Sequence, residues 1–164
     1  IKGVNIIRDV HERPAKLRSV DLDPVIRSEI EHFSRLNITY AGTDVTVVAD
    51  DLLGEVFANL IENAWKSGGD DVEIVIRVEV HGDEVEVSVE DTGPGIPDAV
   101  KKDLFDRLGE GGRLSGADLR RYVCFILVKH YGGKIWVDDR VRGEPERGVA
   151  TKFTLSEVGS GGDL

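Results

Sequence analysis

The sequence feature that most constrains the fold is an alternating apolar run that ends in an acidic residue and a loop of glycine and proline. Val85, Val87 and Val89 alternate with polar residues, which predicts a strand with one buried face. The next residues are Asp91–Pro97, with the sequence DTGPGIP. Two glycines around a proline predict a rigid loop whose backbone can approach another surface closely. The same composition is typical of an ordinary turn, so the loop indicates a site only together with other features.

A strong amphipathic helix is predicted upstream of this loop, capped by Asp50 or Asp51 and running to about Lys66. Its apolar residues recur at helical spacing and form one buried face: Leu52, Leu53, Val56, Phe57, Leu60, Ile61 and Ala64. Asn59 and Asn63 are four positions apart and therefore lie one above the other. Asparagine is a mediocre helix former, so the pair either is solvated or lines a site.

Together the two stretches resemble the N box and the G1 box of the ATP-binding domain of sensor histidine kinases. That domain belongs to a wider family that includes gyrase B, the Hsp90 chaperones and MutL. The N-box match is Asn-Leu-x-x-Asn-Ala-x-Lys, from Asn59 to Lys66, and the G1 match is Asp-x-Gly-x-Gly-Ile, from Asp91 to Ile96. The segment 104–107 resembles the F box, and the resemblance extends to about residue 157.

The resemblance implies a binding site for the adenine base of ATP in the G1 loop. Asp91 would accept a hydrogen bond from the adenine amino group, which favours adenine over guanine. Ile96 would pack on the purine face. Gly93 and Gly95 would let the backbone approach the base and a bridging water.

The resemblance also implies which residues of the helix serve the metal and the phosphates. Asn63 would give its side-chain oxygen to Mg²⁺, an ion that takes oxygen ligands and retains several waters. Lys66 would offer a positive charge to the phosphates, as Arg107 could do from beside the lid. Asn59, also counted with the nucleotide-binding residues, stands where the hydrolysing relatives have a glutamate that activates water. Because an amide cannot act as a general base, phosphoryl transfer to another protein group is favoured over hydrolysis, and no residue of this chain is assigned a catalytic role.

One part of the sequence departs from the resemblance. The G2 box, Gly-x-Gly-Leu-Gly-Leu, is replaced by Gly-Ala-Asp-Leu-Arg-Arg, in which Gly116 and Leu119 keep the pattern and are assigned to the nucleotide site. Asp118 either repels phosphates or caps the following helix. Arg120 and Arg121 either clamp phosphates or are simply solvated. The departure puts the nucleotide affinity in question.

The remaining patterns predict an α/β two-layer sandwich, in which a mixed sheet of about five strands is covered on one face by three helices. This is the Bergerat-type ATP-binding fold that the resemblance implies. Strands are predicted at 17–22, 38–40, 45–48, 72–80, 84–90, 134–138 and 149–155, with a hairpin-like turn joining 38–40 to 45–48. Further helices are predicted at 1–13, 23–35, 98–107 and 118–131. The glycine-rich segment 109–116 corresponds to the lid over the nucleotide, or is a plain linker.

Composition excludes several classes of function. The 164 residues carry 21 basic and 31 acidic side chains, a formal charge of −10, which argues against nucleic acid and anionic membrane as partners. One cysteine, Cys124, excludes an internal disulfide and suits a reducing compartment, so a cytoplasmic location is expected, even if the parent protein is membrane-anchored. The chain has no methionine, which suggests a fragment of a longer protein.

The domain division expected from the resemblance has three parts. Residues 1–14 would be the end of a dimerisation-hairpin helix, 15–157 the ATP-binding catalytic domain and 158–164 a disordered tail. His11 is not expected to be the phospho-acceptor, because it lies too close to the N box and Pro14 ends its helix.

Three functions are compatible with these features. The favoured one is the catalytic domain of a homodimeric two-component sensor histidine kinase. It would position Mg·ATP for phosphoryl transfer to a histidine on an absent dimerisation domain, and then to a response regulator. The second is a docking or regulatory module of the same fold with degenerate nucleotide binding. The third, a serine kinase of the anti-sigma type or a hydrolysing relative, is disfavoured by Asn59.

Overall fold

The computed structural model describes residues 2–108 and 114–158. Within these residues the helices are α1 (Lys2–Glu12), α2 (Leu22–His32), α3 (Leu53–Gly68), α4 (Asp98–Lys101) and α5 (Gly116–His130). The strands are β1 (Arg18–Asp21), β2 (Asn37–Tyr40), β3 (Thr46–Ala49), β4 (Glu73–His81), β5 (Glu84–Asp91), β6 (Ile135–Asp139) and β7 (Val149–Ser156). A short 3₁₀ helix, Pro145–Arg147, precedes β7.

The main sheet is mixed and has five strands in the order β2-β4-β5-β7-β6. The β2–β4 pair is parallel, and the other three pairs are antiparallel. α3 and α5 pack on this sheet, α2 packs on α3, and α1 packs on α5. The predicted α/β sandwich with a mixed five-stranded sheet is therefore confirmed.

The predicted hairpin between residues 38–40 and 45–48 is wrong. β2 pairs with β4 in the main sheet, whereas β3 pairs with β1 in a separate two-stranded sheet. The connection between β2 and β3 is held by Asp23 of α2, whose Oδ1 accepts hydrogen bonds from the Tyr40 hydroxyl, at 2.5 Å, and from Thr43 N, at 3.1 Å. These bonds direct the chain away from β2, so the turn residues join two sheets and do not close a hairpin.

The alternation along β5 determines where the acidic residue of the G1 loop points. Val85, Val87 and Val89 are buried in the core beneath the helices. Asp91 is two residues further on, lies on the same face of the strand and pairs in register with Ile74 of β4. The carboxylate is therefore carried to the edge of an apolar core.

The core between the layers is built mainly from α3 and the facing strands. Phe57 of α3 and Phe153 of β7 are both fully buried, and their rings meet edge to face with centroids 5.5 Å apart. Burying an aromatic or aliphatic side chain of this size contributes about 1.5–3 kcal/mol. α1 adds Ile6 to the same core.

The helices α3 and α5 pack side by side and run in opposite directions. Near the end of α3, Asn63 Nδ2 donates to Ala117 O in the first turn of α5, at 3.4 Å. Just before α3, the buried carboxylate of Asp50 accepts a hydrogen bond from the hydroxyl of Tyr131, just after α5, at 2.5 Å. Polar contacts thus hold this helix pair at both ends.

Several predicted helix boundaries are wrong. The helix predicted at 98–107 is α4, which has only four residues, and turns follow it. α5 begins at Gly116 with Ser115 at the N-cap position, so Asp118 lies inside the first turn and does not cap the helix. α3 begins at Leu53, and Asp50 accepts a hydrogen bond from Leu52 N, at 2.9 Å, in a turn before the helix. Local composition indicated the caps, but tertiary packing decided which residue occupies each position.

Candidate nucleotide-binding site

A pocket lies between α3, the end of β5 and the loop that follows β5. Asn63, Ala64 and Ser67 line it from α3, Asp91 lines it from β5, and Ile96 lines it from the loop. We call it the Asp91 pocket. Its walls combine apolar side chains with a few polar groups, as is usual for sites that bind small molecules.

Asp91 is the buried carboxylate of this pocket and is only 6% exposed. Its Oδ1 accepts the backbone N–H of Gly93, at 2.9 Å. Burial raises the pKa of Asp91, while hydrogen bonds from the backbone of Gly93 and Val149 and the positive charge of Arg140 oppose this rise. A buried, oriented carboxylate of this kind favours the binding of a ligand that donates a hydrogen bond to it.

One glycine of the loop, Gly95, is required by a contact within the protein. Gly95 has φ +80°, and a Cβ built on it would lie 1.7 Å from the carbonyl oxygen of Pro145. A Cβ on Gly93 would lie 3.0 Å from the side-chain Oδ1 of Asp91 and at an ordinary contact distance, 3.5 Å, from the Cα of Gly68. The positive φ and the contact with Pro145 explain Gly95 without a ligand.

Asn63 contacts the start of α5 through both atoms of its amide group. Its Oδ1 accepts a hydrogen bond from Arg120 Nε, and its Nδ2 donates to Ala117 O. Arg120 is therefore not simply solvated, which was one of the two predicted alternatives. Arg121 lines the Asp91 pocket, is 23% exposed and forms an ion pair with Asp118 at 3.2 Å.

Asn59 of the N box and the two candidate residues of the G2 box line a second cleft. Asn59, Gly116 and Leu119 line this cleft together with Arg120, and Gly3 of α1 closes one side. We call it the Asn59 cleft. Although Asn59 and Asn63 lie on one edge of α3 as predicted, they therefore face different cavities. Arg120 forms the boundary, because it lines the Asn59 cleft and bonds to a residue that lines the Asp91 pocket.

The two predicted phosphate cations lie outside both cavities. Lys66 is exposed, with its Nζ 5.3 Å from the centre of the Trp65 ring. Arg107 is exposed and pairs with Asp103, with 2.7 Å between Nε and Oδ2. Neither side chain is brought to Asn63 or Asp91 in this structure.

Several residues of the pocket were missed by the sequence analysis. Ser67 lines it and donates from Oγ to Asn63 O, at 3.0 Å. Its position four residues after Asn63 was a usable signal, because both residues share one helix edge. Val149 and Thr151 also line the pocket from β7. Because side chains alternate along a strand, the sequence predicts that Val149 and Thr151 share a face. The proximity of β7 to Asp91 depends on strand order, which no local pattern specifies.

Oxygen donors for a metal ion are few in the Asp91 pocket. Within residues 2–108 and 114–158, the one group of three His or carboxylate side chains close enough to share an ion is Glu79, His81 and Glu86. This group lies on the β4–β5 hairpin, and none of its members lines the pocket. Besides the hydroxyl groups of Ser67 and Thr151, the side-chain oxygen donors of the pocket are the amide of Asn63 and the carboxylate of Asp91.

Comparison with known proteins identifies the family. The family model described as "Histidine kinase-, DNA gyrase B-, and HSP90-like ATPase" matches residues 48–158. The adaptive-response sensory kinase SasA of Synechocystis is 31% identical over 165 residues, which cover 94% of this chain and 41% of SasA. The sensor protein KdpD of Escherichia coli is 34% identical over 109 residues, 65% of this chain and 12% of KdpD. The chain thus spans less than half the length of these relatives.

A solved structure gives the same fold. The catalytic domain of the histidine kinase ThkA superposes with a TM-score of 0.73 and is 26% identical, with coverage of 87% of this chain and 99% of that chain. ThkA in complex with the response regulator protein TrrA superposes with a TM-score of 0.67 at 25% identity, with coverage of 95% of this chain and 47% of that chain.

The matched region contains α3, β5, α5 and β7, which together carry most of the Asp91 pocket. In the part of the chain that is described, no helix is both long and apolar enough to cross a bilayer. The chain belongs to the histidine kinase-, DNA gyrase B- and HSP90-like ATPase family, as an ATP-binding catalytic domain of the histidine kinase type.

Proposed function

We propose that this chain binds ATP in the Asp91 pocket and serves as the catalytic domain of a two-component sensor histidine kinase. The observation that carries the proposal is the convergence of Asn63 and Asp91 on one pocket from two different elements. Asn63 also belongs to the N-box match, and Asp91 belongs to the G1 match. Their separation along the chain makes the convergence a property of the fold and not of either motif alone.

The base would be recognised at the buried end of the pocket. Asp91 accepts a hydrogen bond from the exocyclic amino group of adenine, while the guanine carbonyl at that position would face the carboxylate. Ile96 and Ala64 supply apolar walls for the purine. Gly93 and Gly95 hold the loop in the shape that this contact requires.

The phosphates would extend toward the start of α5. Asn63 Oδ1 is the hard oxygen that would hold Mg²⁺, an ion that neutralises phosphate charge when bound. Lys66 and Arg107 have long side chains that would turn toward the phosphates from the surface. Asn59, Gly116 and Leu119 line the neighbouring cleft. The oxygen of Asn63 accepts a hydrogen bond from a cation, Arg120, which a metal would have to displace.

In the parent protein, a histidine nitrogen of a dimerisation domain would attack the γ-phosphorus while its bond to the bridging oxygen breaks and ADP leaves. Catalysis would consist of positioning and charge neutralisation, since Asn59 provides no general base for hydrolysis. The phosphoryl group would pass to a response regulator, as the complex of ThkA with TrrA suggests. A homodimeric parent and a cytoplasmic position for this domain belong to the same proposal, with residues 1–14 as the end of a dimerisation-hairpin helix.

A second candidate is a docking or regulatory module of the same fold that binds nucleotide weakly. The hydrogen bond from Arg120 to Asn63 favours this candidate, because it occupies the oxygen expected to bind the metal. Asp118 in the first turn of α5 also favours it, because a carboxylate there repels phosphates.

The test is the affinity of the chain for a fluorescent ATP analogue. We expect micromolar binding by the wild type and about 10- to 150-fold weaker binding by Asp91→Asn, which removes a buried charged acceptor. Asn63→Ala should also weaken binding in the presence of Mg²⁺. Asp71→Asn, at an exposed position outside the pocket, is the matched control and should bind normally. A folded wild-type chain that binds no analogue would refute the proposal and favour the docking module.

A further inference from the structure

We propose that Arg120 is a built-in cation of the nucleotide site, which occupies the oxygen of Asn63 in place of a metal and allows ATP to bind without Mg²⁺. The inference rests on the proposed ATP binding and concerns how the phosphates are held. It departs from the expected role of Asn63 as a metal ligand.

The first support is the orientation of the Asn63 amide. Arg120 Nε can only donate, so the atom it contacts is the amide oxygen, and the amide nitrogen is left to donate to Ala117 O. Both contacts come from the first turns of α5. The oxygen proposed to bind a metal is therefore held against a cation by the packing of α5 on α3.

The second support is the donor capacity that Arg120 keeps. A guanidinium has five N–H donors, and the bond from Nε to Asn63 uses one of them. Within residues 2–108 and 114–158, Arg120 makes no further side-chain hydrogen bond or ion pair. Its two terminal nitrogens therefore keep their donors in the planar fork that matches phosphate oxygens.

The third support is the charge balance at the start of α5. Asp118 would repel phosphates, but its carboxylate is paired with Arg121 at 3.2 Å. Arg120 forms no ion pair among the described residues. Lys2 in the same cleft is paired with Glu55, so Arg120 is the cation left to meet phosphates there, beside the carboxylate of Glu62. Arg120 also lies between the Asp91 pocket and the Asn59 cleft, where phosphates attached to a base in the pocket would enter.

The proposal implies that Mg²⁺ and Arg120 compete for one oxygen. Two cations repel each other at the distance at which both contact a single amide oxygen, and the repulsion is strong where solvent is partly excluded. A metal can therefore bind Asn63 only after Arg120 has left it. The wild-type chain should bind nucleotide in either state, and a variant without the guanidinium should depend on the metal.

The experiment measures the affinity of the 164-residue chain for trinitrophenyl-ATP in excess EDTA and in millimolar MgCl₂. For the wild type, we expect the two affinities to agree within about threefold. For Arg120→Ala, we expect affinity in EDTA to fall by about tenfold or more and to recover in MgCl₂. Arg8→Ala removes one positive charge at an exposed position of α1, whose guanidinium bonds only to Asn5 among the described residues, and should behave as the wild type.

Two results would overturn the proposal. One is equal affinity of Arg120→Ala and wild type in EDTA, with both folded by circular dichroism. The other is a wild type that needs Mg²⁺ as strongly as Arg120→Ala does. Both leave the proposed ATP binding intact, because the probe still binds. Failure of the folded wild type to bind the probe in either buffer would instead refute the proposed function and this inference with it.

Discussion

Replacing Gly95 with alanine tests the close contact between the loop after β5 and the segment before β7. The Cβ of alanine would lie 1.7 Å from Pro145 O, whereas a carbon and a carbonyl oxygen normally approach no closer than about 3.3 Å. Either the loop or the turn at Pro145 must move by more than about 1 Å. The loop also carries Ile96 into the Asp91 pocket, so the variant should lose nucleotide affinity as well as stability.

The expected loss of stability has two parts. The positive φ of Gly95 costs an L-residue about 1–2 kcal/mol, and forcing an extra methyl group into a packed contact costs about 1–3 kcal/mol. Gly132→Ala is the matched control, because Gly132 has φ +82° and no atom lies within 4 Å of the position that a Cβ would take there. The control should lose only the stability that the positive φ costs, so the free energies of unfolding of the two variants should differ by about 1–3 kcal/mol.

Urea unfolding followed by circular dichroism measures this difference. For a domain of this size, a difference of about 1–3 kcal/mol also lowers the melting temperature of Gly95→Ala by about 2–12 °C relative to Gly132→Ala. Equal urea midpoints for the two variants, with equal m-values, would refute the reasoning, because they would show that the contact with Pro145 imposes no constraint on the loop.

Three further predictions concern buried polar groups. Because burial raises the pKa of Asp91, its ionisation lowers stability as the pH rises through the folded-state pKa. The urea midpoint of Asp91→Asn relative to wild type should therefore rise as the pH increases above about 4, and a falling difference would contradict this. Tyr131→Phe removes a donor to the buried carboxylate of Asp50 and should cost about 1.5–3 kcal/mol in urea unfolding; a loss below about 0.5 kcal/mol would show that the bond contributes little. Cys124 is fully buried, and burial raises its pKa, so a thiol reagent should react with it only in denaturant; fast reaction under native conditions would contradict the packing of α5.

Features governed by local periodicity could be predicted from the sequence. The alternation from Val85 to Val89 predicted β5, and the same period places Asp91 on the buried face. The predicted hairpin between β2 and β3 failed because strand pairing is not local. β2 pairs with β4, which follows α3 along the chain, and Asp23 of α2 holds the turn after β2 by a hydrogen bond.

In the candidate site, too, local spacing was predictable from the sequence, whereas contacts between elements were not. Spacing along α3 predicted that Asn59 and Asn63 share an edge, but only Asn63 lines the pocket with Asp91, because α5 and α1 cover the part of α3 near Asn59. The contact between Arg120 and Asn63 joins residues on two helices and depends on how those helices pack. The sequence analysis left phosphate clamping and solvation open for this arginine, since nothing in its neighbours along the chain distinguishes them.

One end of the antiparallel helix pair α3 and α5 lies in the core, and the other end lies at the Asp91 pocket. At the core end, separation of the helices would expose the carboxylate of Asp50, which is buried together with Tyr131. At the site end, separation breaks hydrogen bonds of Asn63 that water or a ligand can replace. We expect the start of α5 to separate from α3 more readily than its end, so helix-bonded backbone amides near Arg121 should exchange with solvent faster than those near Leu127.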